Sequence, residues 1–416
     1  MNDKAKRQLG KSVIWNTLGN VIYYASQYVL LILAVRLSGN YASGLLSTAM
    51  SIAAICISFS NYGMRSFQIS DFAHKYADKT YLQSRYLTVG AAGVGCLIFA
   101  FAISYTAEQR WIILLYTLSR LSEGYIDVWH GYLQKIDRMD IVGILFGLRG
   151  ILTITGFWLG LALTGSLVAT MAILAAVNWL CVFAADIPCS KKAAHFTEKA
   201  DGTLWMLLWE CAPLAVYSFL NSSIGSVVKI YCERICGTEL FGAFNNVFAP
   251  VQIIQVGAMY IFAPFMMTFA RCWQKKDKKA YNKAFGIASG AMPVLWACGA
   301  AGAALLGPFL LGVLYRKGNI QEYTFLLQPA VVAAVMNIYV SILCYLLSMM
   351  REMKGLIAGN VVGIAAAFLC SDIMIRTMGI AGAAWATVAS RAVQAVCCLA
   401  VVLWRSRRHF SEAPKA

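Results

Sequence analysis

The chain is 416 residues long, 60% hydrophobic and only 13% charged, with a mean hydropathy of +0.65; a soluble domain needs far more charge to cover its surface. The net charge of +16 does not point to nucleic acid, because the cations sit in short loops between apolar runs, where lysine and arginine set membrane topology. The 13 cysteines make no disulfide framework, since most, such as Cys96, Cys181, Cys344 and Cys370, fall inside apolar runs where a thiol behaves as a small hydrophobe.

The basic amino terminus, Met1 to Lys11, leads into a full-length apolar run with no small-residue cleavage site, so no signal peptide is expected. Gly10-Lys11-Ser12 has the ending of a phosphate-binding loop, but Ala5 stands where its first glycine would be and no strand precedes it. Runs long enough to cross a bilayer, about 20 residues for roughly 30 Å, then follow at 12–37, 44–62, 85–105, 109–134, 140–163 and 166–186. A second set lies at 204–232, 239–270, 284–315, 324–349, 355–377 and 379–404. The 33 glycines suit close-packed membrane helices. The expected fold is an all-α polytopic membrane protein of about twelve transmembrane helices. With the amino terminus inside, 25 Lys and Arg fall in inside segments and six in outside loops, which places both termini in the cytoplasm.

The polar stretch around Lys191, Lys192, His195 and Lys199 splits the segments six and six. The expected division is an N-terminal lobe 1–187, a cytoplasmic linker 188–203, a C-terminal lobe 204–404 and a cytoplasmic tail 405–416. An internal echo supports it: Arg36-Leu-Ser-Gly39 with Gly44 has the spacing of Arg234-Ile-Cys-Gly237 with Gly242, 198 residues on. Six segments per repeat make the two copies parallel, related by an axis along the membrane normal. The prolines inside segments, Pro213, Pro250, Pro264, Pro293 and Pro308, all lie in the second half, with Pro329 near a segment start. They serve either packing or bending. No loop is large enough for a catalytic or nucleotide-binding domain, so no enzyme and no cofactor is expected. Cys232 and Cys236 lack the further ligands of a metal site.

Ionisable residues inside a span are costly and face a cavity or a partner. The fourth segment is the richest: Arg120, Glu123, Asp127, His130 and Gln134, spaced 3, 4, 3 and 4, share one arc that must look into the bundle. Arg149 of the fifth segment stands at similar depth and is expected opposite Asp127 or Glu123. The pairing reads either as an ion-pair brace, as a carboxylate that titrates with H+ or Na+, or as an arginine that binds an anion, with Arg120 and Arg149 the candidates. Arg391, midway along the last segment, has no acid level with it on the segment before and joins them; Lys229, near a segment end, fits a snorkelling role. Asn16, Asn20, Tyr23 and Gln27 of the first segment are candidates for glycan contact. So are Tyr217 and Asn221 of the seventh, Asn245 and Gln252 of the eighth, and Asn337 of the tenth. The same residue types also serve as ordinary glue between helices.

The stretches Trp15-Asn-Thr-Leu-Gly-Asn20, Gln27-Tyr-Val-Leu-Leu, Val35-Arg-Leu-Ser-Gly39 and Ser51-Ile-Ala-Ala running to Tyr62-Gly-Met-Arg-Ser-Phe-Gln-Ile-Ser-Asp71 resemble bacterial polysaccharide flippases. So do Arg120-Leu-Ser-Glu-Gly-Tyr-Ile-Asp127, Gln134-Lys-Ile-Asp-Arg-Met-Asp140, Leu148-Arg-Gly150 and Gly379-Ile-Ala-Gly-Ala-Ala-Trp-Ala-Thr387. These are the O-antigen and capsule repeat-unit exporters of the multidrug/oligosaccharidyl-lipid/polysaccharide (MOP) superfamily. The resemblance implies two six-helix lobes around a central cavity, in a bacterial inner membrane. The implied substrate is a polyprenyl-pyrophosphate-linked oligosaccharide carried to the outer leaflet, with the cations holding the pyrophosphate and Arg65 guarding the cytoplasmic mouth. Implied partners are that substrate, membrane lipids, an H+ or Na+ coupling ion and other polysaccharide-assembly membrane proteins. A multidrug or metabolite exporter of the same superfamily is the nearest alternative, and a membrane-embedded glycan polymerase or ligase a more distant one. An exporter of cationic drugs would favour acids over cations among the deep groups, where Arg120, Arg149 and Arg391 face Glu123 and Asp127.

Overall fold

In the computed structural model the described residues are 3–71, 75–193, 202–315 and 320–411, and every regular element among them is helical. The first group is α1 (Asp3–Asn61), α2 (Met64–Ser70), α3 (Asp78–Ala102), α4 (Ala107–Lys135), α5 (Met139–Thr164) and α6 (Leu167–Cys181). A π-helical turn, Val182–Asp186, leads from α6 into the short α7 (Ile187–Ala193). Then come α8 (Leu204–Cys236), α9 (Thr238–Gln274), α10 (Lys278–Leu314), α11 (Leu327–Met349) and α12 (Met353–Ser411).

Eight of these helical stretches are long and apolar enough to cross a membrane by length and composition. Two of them, Gly10–Ser70 and Met353–Ser411, run to 61 and 59 residues, roughly 90 Å at 1.5 Å per residue against a hydrocarbon core of roughly 30 Å. Each holds two spans joined at a glycine, Gly39 in α1 and Gly379 in α12. With α9 and the more polar α4, which are not among those eight, the described helices are as many as the twelve segments expected.

The backbone repeats more faithfully than the side chains. Gly39 and Gly237 hold nearly the same conformation (φ 84°, ψ −175° and φ 89°, ψ 161°), a region open essentially to glycine alone. That explains why glycine recurs at the echoed turn. Tyr62, Asp137 and Gly165 have positive φ, and so do Lys276, Arg351 and Gly379, each 214 residues further on. Asp137, Lys276 and Arg351 also end their helices alike. The following amide reaches back five residues each time: Arg138 to the Leu133 carbonyl (2.8 Å), Asp277 to that of Cys272 (3.0 Å) and Glu352 to that of Leu347 (2.9 Å). This is the Schellman closure, which satisfies carbonyls at a helix end.

The chain divides into two compact units, 1–222 and 223–416. The first half of α8 packs with the helices before it: Phe219 meets Phe59 at 6.3 Å, and the Ser222 hydroxyl donates to the Ala54 carbonyl at 3.0 Å. Of the 188–203 segment read above as a linker, residues 188–193 belong to the helix α7 and 194–201 lie outside the described residues.

Within the first unit α1 and α5 touch backbone to backbone. A Cβ on Gly19 would stand 1.8 Å from the Gly143 carbonyl oxygen, and one on Gly143 would stand 2.0 Å from that of Trp15. With no hydrophobic drive between helices in lipid, such close approach supplies the packing. In the second unit Gly355, Gly359 and Gly363 of α12 make room for side chains instead: Val401, Cys398 and Ile224 lie 2.5, 2.4 and 2.8 Å from where a Cβ would stand. The polar residues of α4 ride on this frame, because α4 packs against α1, α3 and α6. Its start is fixed by a capping box, in which Thr106 Oγ1 accepts from the Gln109 amide (3.2 Å) and the Gln109 side chain accepts from the Thr106 amide (3.0 Å).

A charged stripe on α4 and its partners

The five polar residues of α4 do face protein, and they divide among three partner groups. Nearest the start of α4, Arg120 pairs with Glu123, and Tyr23 of α1 bonds both: its hydroxyl donates to Glu123 and accepts from Arg120 (2.6 Å). The Arg120 guanidinium lies 5.8 Å from the Tyr23 ring centre, a cation–π contact. Tyr116, one turn earlier, donates to Gln27 Oε1 at 3.1 Å. Tyr23, Gln27, Arg120, Glu123, Thr153 and Asn178 border a small void.

One turn on, Asp127 accepts from Arg85 at 2.5 Å, and Arg65 lies 3.5 Å away. Arg85 is fully buried and also donates to the carbonyls of Ser60 and Asn61, both at 2.8 Å. It therefore closes the end of α1, where unpaired carbonyls and the helix dipole favour a cation. Arg65 of α2 makes two bonds to Gln134 Oε1, at 3.1 and 3.0 Å, so its position by the stripe comes from the protein as much as from solvent.

The third group is the most enclosed. Arg149 of α5 donates to Ser122 Oγ and to Asp186, both at 2.8 Å, while His130 Nε2 lies 3.0 Å from the other Asp186 oxygen. The side chains of Arg149, Asp186 and His130 are no more than 2% exposed. Asp186 is the last residue of the π-helical turn, whose wider winding carries it round to face both partners.

One expectation from the sequence is corrected. Arg149 does not pair with Asp127 or Glu123, because α5 packs chiefly on α1 and α6 and barely touches α4, so equal depth did not make them neighbours. Arg149 has both terminal nitrogens bound, to Ser122 and Asp186, and 1% exposure. Arg85, the first residue of the apolar run 85–105, lies two turns inside α3, which begins at Asp78.

Exposure separates the remaining candidates. Arg65 and Arg120 keep 25% and 20% of their side chains open, and Asp127 and Glu123 keep 17% and 16%. On α1, Asn20 donates to the Asn16 carbonyl (2.7 Å) and side-chain oxygen (2.9 Å), both half-buried, and Tyr23 is buried while its neighbour Tyr24 is half exposed. Tyr217 and Asn221 are half-buried on α8.

In the second unit Arg391 is 9% exposed and donates to Gln394 Oε1 at 2.8 Å; Gln394 in turn donates to Asn360 at 3.0 Å. Asp372 is taken up by Arg376 one turn away, at 2.8 Å. Asn245 is buried, Gln252 and Asn337 are half-buried, and the Asn337 carbonyl accepts from Ser341 at 2.8 Å. Lys229 is half-buried.

No protein-family model and no curated protein matches the chain. Solved structures do. An inward-facing multidrug resistance MATE family transporter of the MOP superfamily aligns with a TM-score of 0.71 at 10% identity, over 97% of this chain and 100% of that one. An outward-facing MATE family transporter aligns at 0.65 and 14%, over 98% and 97%. A MOP superfamily transporter from Pyrococcus furiosus, described as having a binding pocket of reversed polarity that suggests a different function, aligns at 0.62 and 12%, over 99% and 97%. The chain therefore has the fold of the MATE transporters of the MOP superfamily.

Proposed function

We propose that this protein is a flippase that moves a polyprenyl-pyrophosphate-linked oligosaccharide from the cytoplasmic to the outer leaflet by alternating access. The observation that carries the reading is the charge of the α4 stripe. Arg65, Arg85, Arg120 and Arg149 outnumber Glu123, Asp127 and Asp186 in one connected region of the first unit, and two of the arginines, Arg65 and Arg120, remain partly open. An excess of cation at membrane depth is costly unless an anion is to be met there, and arginine matches phosphate oxygens with paired N–H groups. Arg120 and Arg65 are thus the first-unit pyrophosphate ligands, with Arg391 as the second-unit candidate. Half-buried Asn16, Asn20 and Gln27, with exposed Tyr24, offer amide and ring contacts to sugars. Glu123 and Asp127, the partly open acids of the stripe, are the residues for a coupling H+ or Na+.

A multidrug exporter is the second reading, favoured by the likeness to multidrug MATE structures. Deleting the gene separates the two. Repeat units that accumulate on their lipid carrier at the cytoplasmic face support the flippase. Normal surface glycan with increased drug sensitivity would reject it.

A further inference from the structure

One end of the second unit gathers positive charge from three separate segments. His409, near the end of α12, stacks on Trp273 with ring centres 3.8 Å apart and planes at 10°, and its Nε2 lies 3.2 Å from the Trp273 carbonyl. Phe410 packs on Tyr281 at 5.3 Å, and Arg405 reaches Glu352 at 3.4 Å. This clasp holds the last turns of α12 against the α9–α10 turn and the α11–α12 turn. The six lysines and arginines of 271–283, Arg351 and Lys354, and Arg407 and Arg408 are all exposed on these segments. The two carboxylates among them are committed: Asp277 caps α10 by accepting from the Ala280 amide (2.9 Å), and Glu352 faces Arg405.

Topology alone asks for cations at this end of both units. It does not ask for such imbalance. The matching segments of the first unit, 62–79, 135–140 and the end of α7, set Asp71, Asp78, Asp137 and Asp140 against Arg65, Lys75, Lys79, Lys135, Arg138, Lys191 and Lys192. Beside the basic face, Leu403 and Trp404 are 40% and 56% exposed, and the Arg408 guanidinium lies 6.0 Å from the Trp404 ring centre. Exposed tryptophan at a border between apolar helix and basic turns marks headgroup depth.

We propose that this face binds anionic phospholipid headgroups of the leaflet it meets. The cations spread over an open surface rather than converging on a pocket, which suits a field of headgroups, and the border with apolar Leu403 and Trp404 suits lipid better than an acidic protein. The proposal does not depend on what the protein transports.

The test uses full-length protein reconstituted into vesicles of phosphatidylcholine alone or mixed equally with phosphatidylglycerol, with co-purifying lipid measured by mass spectrometry. Wild type is expected to retain phosphatidylglycerol several-fold over phosphatidylcholine, and to lose that preference in high salt. A variant with K275Q, K276Q, K278Q, K279Q, R407Q and R408Q is expected to show no preference, while a K79Q, K192Q control in the first unit keeps it. Because all of these side chains are exposed, both variants should fold, which the unchanged thermal unfolding of each would verify. Unchanged preference in the six-site variant overturns the proposal and leaves an acidic protein as the occupant to seek. Equal loss in the control also overturns it, since bulk charge would then suffice.

Discussion

Arg149 and Asp186 meet at 2.8 Å with side chains 1% and 2% exposed, although they stand on different helices and 37 residues apart. A buried pair of this kind contributes little net stability over an apolar pair, but removing one partner strands the other charge out of water. Asp186→Ala should therefore destabilise the first unit by about 3–5 kcal/mol, read by thermal unfolding in detergent. Arg149→Ala should cost a similar amount, and the double variant less than the sum. Additive losses would show that the pair does not couple.

Arg85 has a different test, because its partners are two backbone carbonyls as well as Asp127. Arg85→Gln should cost more than Asp127→Asn. Asp127 is partly open to solvent and becomes neutral on substitution, whereas the end of α1 loses a cation that nothing else replaces. Both variants are compared by unfolding midpoint, and the reverse ranking would contradict the capping role.

The two halves share turn geometry, so turn substitutions should behave alike in both. Gly39→Ala and Gly237→Ala should each cost about 1–3 kcal/mol. Lys276→Gly and Arg351→Gly should each gain about 1 kcal/mol, because left-handed backbone is strained for a side chain. Gly90→Ala, where an added Cβ meets nothing within 4 Å, should be tolerated. Circular dichroism melts in one detergent suffice for all five.

Acid should act on the turn between α2 and α3. Burial works to raise the Asp71 carboxyl. The backbone amides of Lys75 and Tyr76, the Tyr81 hydroxyl and the charge of Lys135 together outweigh it, holding the group below the ordinary aspartate value of 3.8. A depressed carboxyl gives its stability in full above the unfolded value and loses it as pH falls through the folded one. Wild type should thus lose stability below about pH 4 more steeply than Asp71→Asn, measured as unfolding midpoint against pH. Parallel curves would show that Asp71 does not report on this turn.

What could be read from sequence was what local chemistry decides. Twelve spans follow from hydropathy and length, and the inward turn of Arg120, Glu123, Asp127, His130 and Gln134 follows from helical spacing and the cost of charge in lipid. The matched glycines at 39 and 237 were legible because only glycine holds that backbone. Which helices touch is not local, and there the reading failed: α4 and α5 are adjacent in sequence but scarcely in contact, so Arg149 received the wrong partner. Asp186 was unremarkable at the end of an apolar run, since its orientation depends on a π-helical turn that no residue type announces. The bond between Tyr23 and the Arg120–Glu123 pair follows from the α1 and α4 packing, though Tyr23 itself was legible as a polar candidate of the first segment.

The central claim is tested most directly by reconstituting the protein in vesicles and following a fluorescent polyprenyl-pyrophosphate oligosaccharide from one leaflet to the other. Wild type should flip it faster than protein-free vesicles. Arg120→Ala and Arg65→Ala should each lose most of that rate while still inserting and folding. Wild-type rates from both variants, or no flipping by the wild type in vesicles where it exports a cationic drug, would contradict the claim.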